Sequence, residues 1–182
     1  MGMAAPTYFT ADMVRALPDD RNRYEVVHGE LLVTPAPRPW HEEIVGRLYR
    51  ALQDYLQREP VGHAFGSHSD ISWGPYVRVE PDVFVVPIAQ ARSLDWTRMR
   101  DLLLVIEVLS PSSSRGDRFT KRRLYQEQHV PVYWVIDGDE RLVEVWNPEA
   151  ESPSIERNRL SWLPVGANRP FEVVLSDLFR PI

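Results

Sequence analysis

Residues 102–114 read LLLVIEVLSPSSS. Leu102 to Ile106 are apolar without a break, Glu107 follows, and Val108 and Leu109 resume the run. Continuous apolar character marks a strand covered on both faces. SPSSSRGD is a loop, and RFTKRRLYQEQH after it has helical spacing, with Asp117, Lys121, Leu124, Tyr125 and Gln128 on one face. A doubly covered strand followed by a helix points to a mixed sheet with helices packed on it, an α/β or α+β arrangement. Within such a strand Glu107 is costly: an ionised carboxylate buried without a partner loses several kcal/mol or more. It needs a cation, a metal or a hydrogen-bond donor.

Upstream, TADMVRAL predicts a short helix with Thr10 as N-cap and Pro18 just past its end. RYEVVHGELLVTP predicts a hairpin turning near Gly29, with Glu25 and Glu30 on either side of the turn. WHEEIVGRLYRALQDYLQRE is a strong helix: Ile44, Val45, Leu48, Leu52, Tyr55 and Leu56 recur at helical intervals. His41, one turn before Val45, lies toward its apolar face. AFGSHSDISW alternates in part, and VRVEPDVFVV reads as one strand with Pro81 inside it, the sign of an edge, a bulge or a bend. Downstream, VYWVID and RLVEVW predict a hairpin across GDE, ESPSIERN a loop, and RLSWLPV and FEVVL late strands. No repeat or long linker interrupts the chain, so its 182 residues predict one domain, 1–182.

The chain has no cysteine, which excludes disulfides, thiol catalysis and cysteine-rich zinc sites and favours a cytoplasmic setting. The N-terminal MGMAAPTYFTADMVRAL lacks the pattern of a secretory signal, and no apolar stretch approaches the ~20 residues of a membrane span. The net charge of −5 argues mildly against a protein that coats nucleic acid. Of 21 basic residues, every one is arginine except Lys121. Where arginine is the default cation, a lysine is either accidental or kept for its compact, titratable charge.

Three residues stand out. Glu107 is the buried acid, and Asp82, after Pro81, shares a strand face with Glu80 and Phe84. If their strands are neighbours, the two acids can converge on one divalent cation; Mg²⁺ favours such hard oxygen ligands. Each also has an ordinary reading, Glu107 as a buried partner of arginine and Asp82 as a turn cap. Lys121 either makes an i,i+4 surface pair with Asp117 or reaches the two acids. Arg115, Arg118, Arg122 and Arg123 crowd the same helix end, as a phosphate-binding patch or as a solvated face.

Pro81-Asp82, Glu107 in IEVLS and the stretches YEVVHGEL, PAPRPWH, VEPDVFVV and KRRLYQEQHVPVYWVID together carry a resemblance. The sequence from about Tyr24 to Asp137 resembles the PD-(D/E)XK nuclease superfamily and, more specifically, the Uma-type family of restriction endonucleases. The resemblance implies a restriction-endonuclease-like mixed sheet flanked by helices, with additional hairpins. It also implies DNA phosphodiester hydrolysis with Mg²⁺ or Mn²⁺ held by Asp82 and Glu107; a homodimer is expected separately. Lys121 would orient the attacking water or neutralise charge on the phosphate. Leu109 departs from the pattern, standing where the superfamily places its lysine; Lys121 on the following helix would replace it. His41, Asp117, Glu25 and Glu30 are supporting candidates.

A different class of reading is an inactive nuclease fold used for self-association or partner binding, with VYWVID and RLVEVW as its apolar surface. A two-carboxylate glycosidase gives Lys121 no role. Ser110 to Ser114 lack a G-x-S-x-G elbow, and there is no glycine-rich phosphate loop.

Overall fold

A computed structural model describes residues 8–182. Residues 1–7, part of the segment read above as lacking a secretory signal, lie outside the described residues. The fold is α+β. Its centre is a six-stranded mixed sheet of β3 (Gly62–Gly66), β6 (Val83–Pro87), β7 (Leu104–Val108), β8 (Tyr133–Asp137), β9 (Leu142–Trp146) and β10 (Ser154–Glu156), in the order β10-β9-β8-β7-β6-β3. β7 and β8 are parallel, and the other pairs are antiparallel.

The apolar run at 102–109 is indeed buried on both faces. Leu104, Ile106 and Val108 join Val83, Val85, Trp134 and Ile136 against α2 (Pro39–Arg58). That helix starts with Pro39 in its first turn, where no backbone N–H is needed. It turns Ile44, Leu48, Leu52 and Leu56 onto the sheet. A ribbon of β11 (Arg159–Trp162) and β12 (Phe171–Val174), followed by α5 (Leu175–Leu178), completes this layer.

Val105, Phe84, Val86, Tyr133 and Val135 point the other way, toward Leu124, Tyr125 and a second sheet. This sheet contains β1 (Arg23–Val27), β2 (Glu30–Thr34), β4 (Ile71–Ser72) and β5 (Arg78–Val79), in the order β2-β1-β5-β4. β1 alternates strictly. Val26 packs with Ala11 and Val14 of α1 (Ala11–Arg15), while Arg23, Glu25 and Val27 form the opposite face. Thr10 caps α1 through the Met13 N–H. His28 and Gly29 make the tight β1–β2 turn with φ of 50° and 83°. A Cβ on Gly29 would also fall 2.6 Å from the Tyr8 ring.

Three expectations change. The expected single strand VRVEPDVFVV divides at Glu80–Asp82 into β5 and β6, which belong to different sheets. Proline has no N–H for a ladder, so Pro81 is where the chain crosses between layers. ESPSIERN contains β10, an edge strand pairing Ser154–Glu156 with β9. The VYWVID–RLVEVW hairpin is no free apolar surface, because Tyr133–Ile136, Val143 and Trp146 are buried in the sheet.

A short helix, α3 (Ile88–Ala91), follows β6, and the predicted helix after β7 begins as a π-helix, Gly116–Lys121, and continues as α4 (Arg122–Glu127). Among the described residues, no helix is long and apolar enough to cross a membrane.

Candidate active site

The β6–β7 register pairs Val83 with Ile106, so one residue further Asp82 comes opposite Glu107. Both project to the face that carries Phe84 and Val105, and there the inner side of β1 meets them. Asp82 Oδ1 accepts from Arg23 Nη1 at 2.6 Å; Oδ2 accepts from the Val108 N–H at 2.8 Å and lies 3.2 Å from His41 Nε2. Arg23 Nη2 stands 3.9 Å from Glu107 Oε2. One guanidinium therefore spans the two acids.

Behind it lies Lys121, only 2% exposed. Its Nζ is 2.8 Å from Glu25 Oε2, 2.9 Å from Glu107 Oε1 and 3.2 Å from Asp117 Oδ1. The Asp117–Lys121 contact exists, but it is a buried part of a four-residue cluster rather than a surface pair. Tyr125 Oη donates to Glu107 Oε1 at 3.2 Å, and the Glu80 N–H to Glu25 Oε1 at 2.8 Å.

Of the supporting candidates, His41, Asp117 and Glu25 join this cluster. Glu30 does not: it is exposed at the hairpin turn beside Leu32 and Phe119. The arginines divide as well. Arg118 binds Asp137 and Glu144 at 2.8 and 2.7 Å, and Arg122 lies over the Trp146 ring. Arg115 and Arg123 are exposed, with Arg123 3.2 Å from Glu127. Sequence reasoning passed over Arg23. Its signal was the alternation of Arg23 and Glu25 on a short strand, which places both charges on one face.

The charges do not balance. Glu25, Asp82, Glu107 and Asp117 are buried acids, against the permanent cations Arg23 and Lys121. Burial favours the neutral acid, but the Arg23 charge and the His41 hydrogen bond hold Asp82 well below its ordinary range. Burial would likewise depress His41, yet Asp82, helped by Glu42, raises it above 6.5. Burial pushes Glu107 well up; Lys121 opposes this, and Asp117 and Asp82 reinforce it. Asp117 is raised for the same leading reason, again against Lys121. Lys121 loses to burial and gains more from Glu107, Glu25 and Asp117, so it stays protonated.

A pH dependence follows. Glu107 and Asp117 sit above their ordinary 4.5 and 3.8, so folding takes up protons. Their contribution to stability is full below those values and is lost as pH rises through the folded-state values. Asp82 is shifted below 3.8 and acts oppositely, losing its contribution as pH falls through its folded-state value. The metal-free protein should therefore melt at a higher temperature near pH ~5 than near pH ~8. Glu107→Gln should flatten that slope in thermal melts across this range.

Asp82, His41 and Arg23 line a cleft of about 390 Å³ together with Ser110 and Ser113. Lys121, Glu25 and Asp117 line a smaller hollow of about 140 Å³. Among the described residues, no three acidic or histidine side chains are grouped as metal ligands, because Arg23 and Lys121 stand between the acids. The donor set still fits a hard divalent ion. Glu107 Oε2 and Asp117 Oδ2 are buried without a hydrogen-bond partner, and the cluster holds more acids than permanent cations.

The sequence matches the Uma2 family, described as "Putative restriction endonuclease", over residues 11–173. No curated protein matches it. Among solved structures, a protein of Anabaena variabilis described as a "putative nuclease belonging to DUF820" is similar. Its TM-score is 0.76 at 23% identity, covering 94% of this chain and 97% of that one. That likeness establishes a shared fold. With the family match spanning both sheets and every residue of the acidic cluster, the chain belongs to the Uma2 family of restriction-endonuclease-like proteins.

Proposed function

We propose that the protein is a Mg²⁺- or Mn²⁺-dependent nuclease that hydrolyses phosphodiester bonds in DNA, with the whole chain acting as one catalytic domain. The observation that carries this reading is the convergence of Asp82 and Glu107 on one guanidinium beside an open cleft. These two carboxylates would hold the cation, which when bound polarises the phosphate and lowers the pKa of an attacking water. His41, which lines the cleft and whose pKa Asp82 raises above its ordinary value, would hold a proton beside the reacting phosphate. Lys121 would fix Glu107 through Oε1 and oppose the burial that favours its neutral form. Direct contact between Lys121 and water or phosphate would require it to release one of its three carboxylates. Exposed Arg115 and Arg123 are the helix cations available to the DNA backbone. A homodimer, presenting two clefts to a duplex, belongs to the same proposal and is read by light scattering.

The direct test is plasmid DNA incubated with Mg²⁺ or Mn²⁺. Nicking or degradation is expected, and EDTA should stop it. One observation favours a second reading, an inactive fold used for binding: Glu107 and Lys121 have almost no exposed surface. That reading requires no cleavage and no cation binding in the same assays.

A further inference from the structure

Arg23 differs from Lys121 in where it sits and in how firmly it is held. Its side chain is 16% exposed and lines the cleft, against 2% for Lys121. Its hydrogen bonds are few for a group with five donor hydrogens. Nη1 binds Asp82 Oδ1 at 2.6 Å and the Glu80 carbonyl at 3.1 Å. Nη2 reaches no closer than 3.9 Å to Glu107, and Nε is buried without an acceptor, 3.7 Å from Glu25 Oε2. The guanidinium is thus tied to one of the acids proposed to hold the metal, its Nε and Nη2 make no hydrogen bond to a carboxylate, and the side chain borders the cleft.

We propose that Arg23 is an exchange residue. In the metal-free protein it neutralises Asp82. Once Asp82 is committed to a divalent cation, the freed guanidinium takes the non-bridging oxygens of a substrate phosphate in the cleft. The proposal rests on the nuclease reading above. Its chemistry is that of arginine: a fork that binds carboxylate and phosphate in the same bidentate way, so one partner substitutes for the other without a new geometry. Lys121 cannot serve, since it is enclosed by three carboxylates.

The prediction is a pair of opposite signs. In Arg23→Gln, Mn²⁺ has no guanidinium to displace from Asp82, and its affinity by titration calorimetry should rise about tenfold or more. Affinity for a short DNA duplex, measured by fluorescence anisotropy in saturating Ca²⁺, should fall about tenfold or more because a charged phosphate contact is lost. If Arg23→Gln does not fold, Arg23→Lys keeps the charge, and the same opposite signs should appear at smaller size. A purely structural arginine would weaken both affinities together, and that result overturns the proposal. So does unchanged or weaker Mn²⁺ binding in a variant whose parent binds Mn²⁺. If parent and variants alike bind no Mn²⁺, the metal-dependent reading itself fails and the proposal falls with it.

Discussion

Asp82→Asn is expected to lower DNA cleavage by about 10³-fold, since losing a metal-assisted charge stabilisation of several kcal/mol costs tenfold per ~1.4 kcal/mol. Single-turnover cleavage at saturating Mg²⁺ measures it. The substitution is nearly isosteric, but it is not neutral for the fold. Both oxygens of Asp82 accept hydrogen bonds, Oδ1 from Arg23 and Oδ2 from the Val108 N–H. An asparagine amide nitrogen accepts none, so one donor is left facing another donor. A parallel stability loss of roughly 1–3 kcal/mol is expected in urea melts. Activity close to that of the parent in Asp82→Asn would remove Asp82 from the metal site.

Lys121→Met should produce the largest change in stability. The three carboxylates around Nζ would remain buried without their shared cation. Breaking a buried pair by removing one partner typically costs about 3–5 kcal/mol. At this chain length that corresponds to a melting temperature lower by roughly 6–20 °C. Adding Glu107→Gln should recover part of the loss, because it removes one of the stranded charges, and a double-mutant cycle reads that coupling directly. A change within ~0.5 kcal/mol would mean that Lys121 behaves as an exposed residue. That outcome would contradict the geometry of the cluster.

Lys121 stood out because arginine replaces lysine everywhere else in the chain, and its approach to Glu107 follows from the loop and helix after β7. Its three-way pairing was not legible, because it needs Glu25 from a strand in the other sheet. The same distance in sequence hid Arg23. Pattern reveals which face a residue is on, and β1 carries its charges on one face as alternation requires; it does not reveal what that face meets. The π-helical turn at Gly116–Lys121 was also invisible, since its side-chain sequence suits an ordinary helix. Asp82 and Glu107 were legible as a pair because both lie at ends of apolar strands, and adjacent pairing of those strands was enough to oppose them.

The division of the site between two sheets also sets an order of events during synthesis. β1, with Arg23 and Glu25, leaves the ribosome long before Glu107 and Lys121 exist. Arg23 and Glu25 on its inner face gain little by collapsing onto apolar surface, so those side chains are expected to stay hydrated until β6, β7 and the helix beyond them have come together. Contacts so distant along the chain form slowly, because the intervening loops must close first. The acidic cluster is therefore expected to assemble late in folding, so that a nascent chain carries the pieces of the site before the site itself.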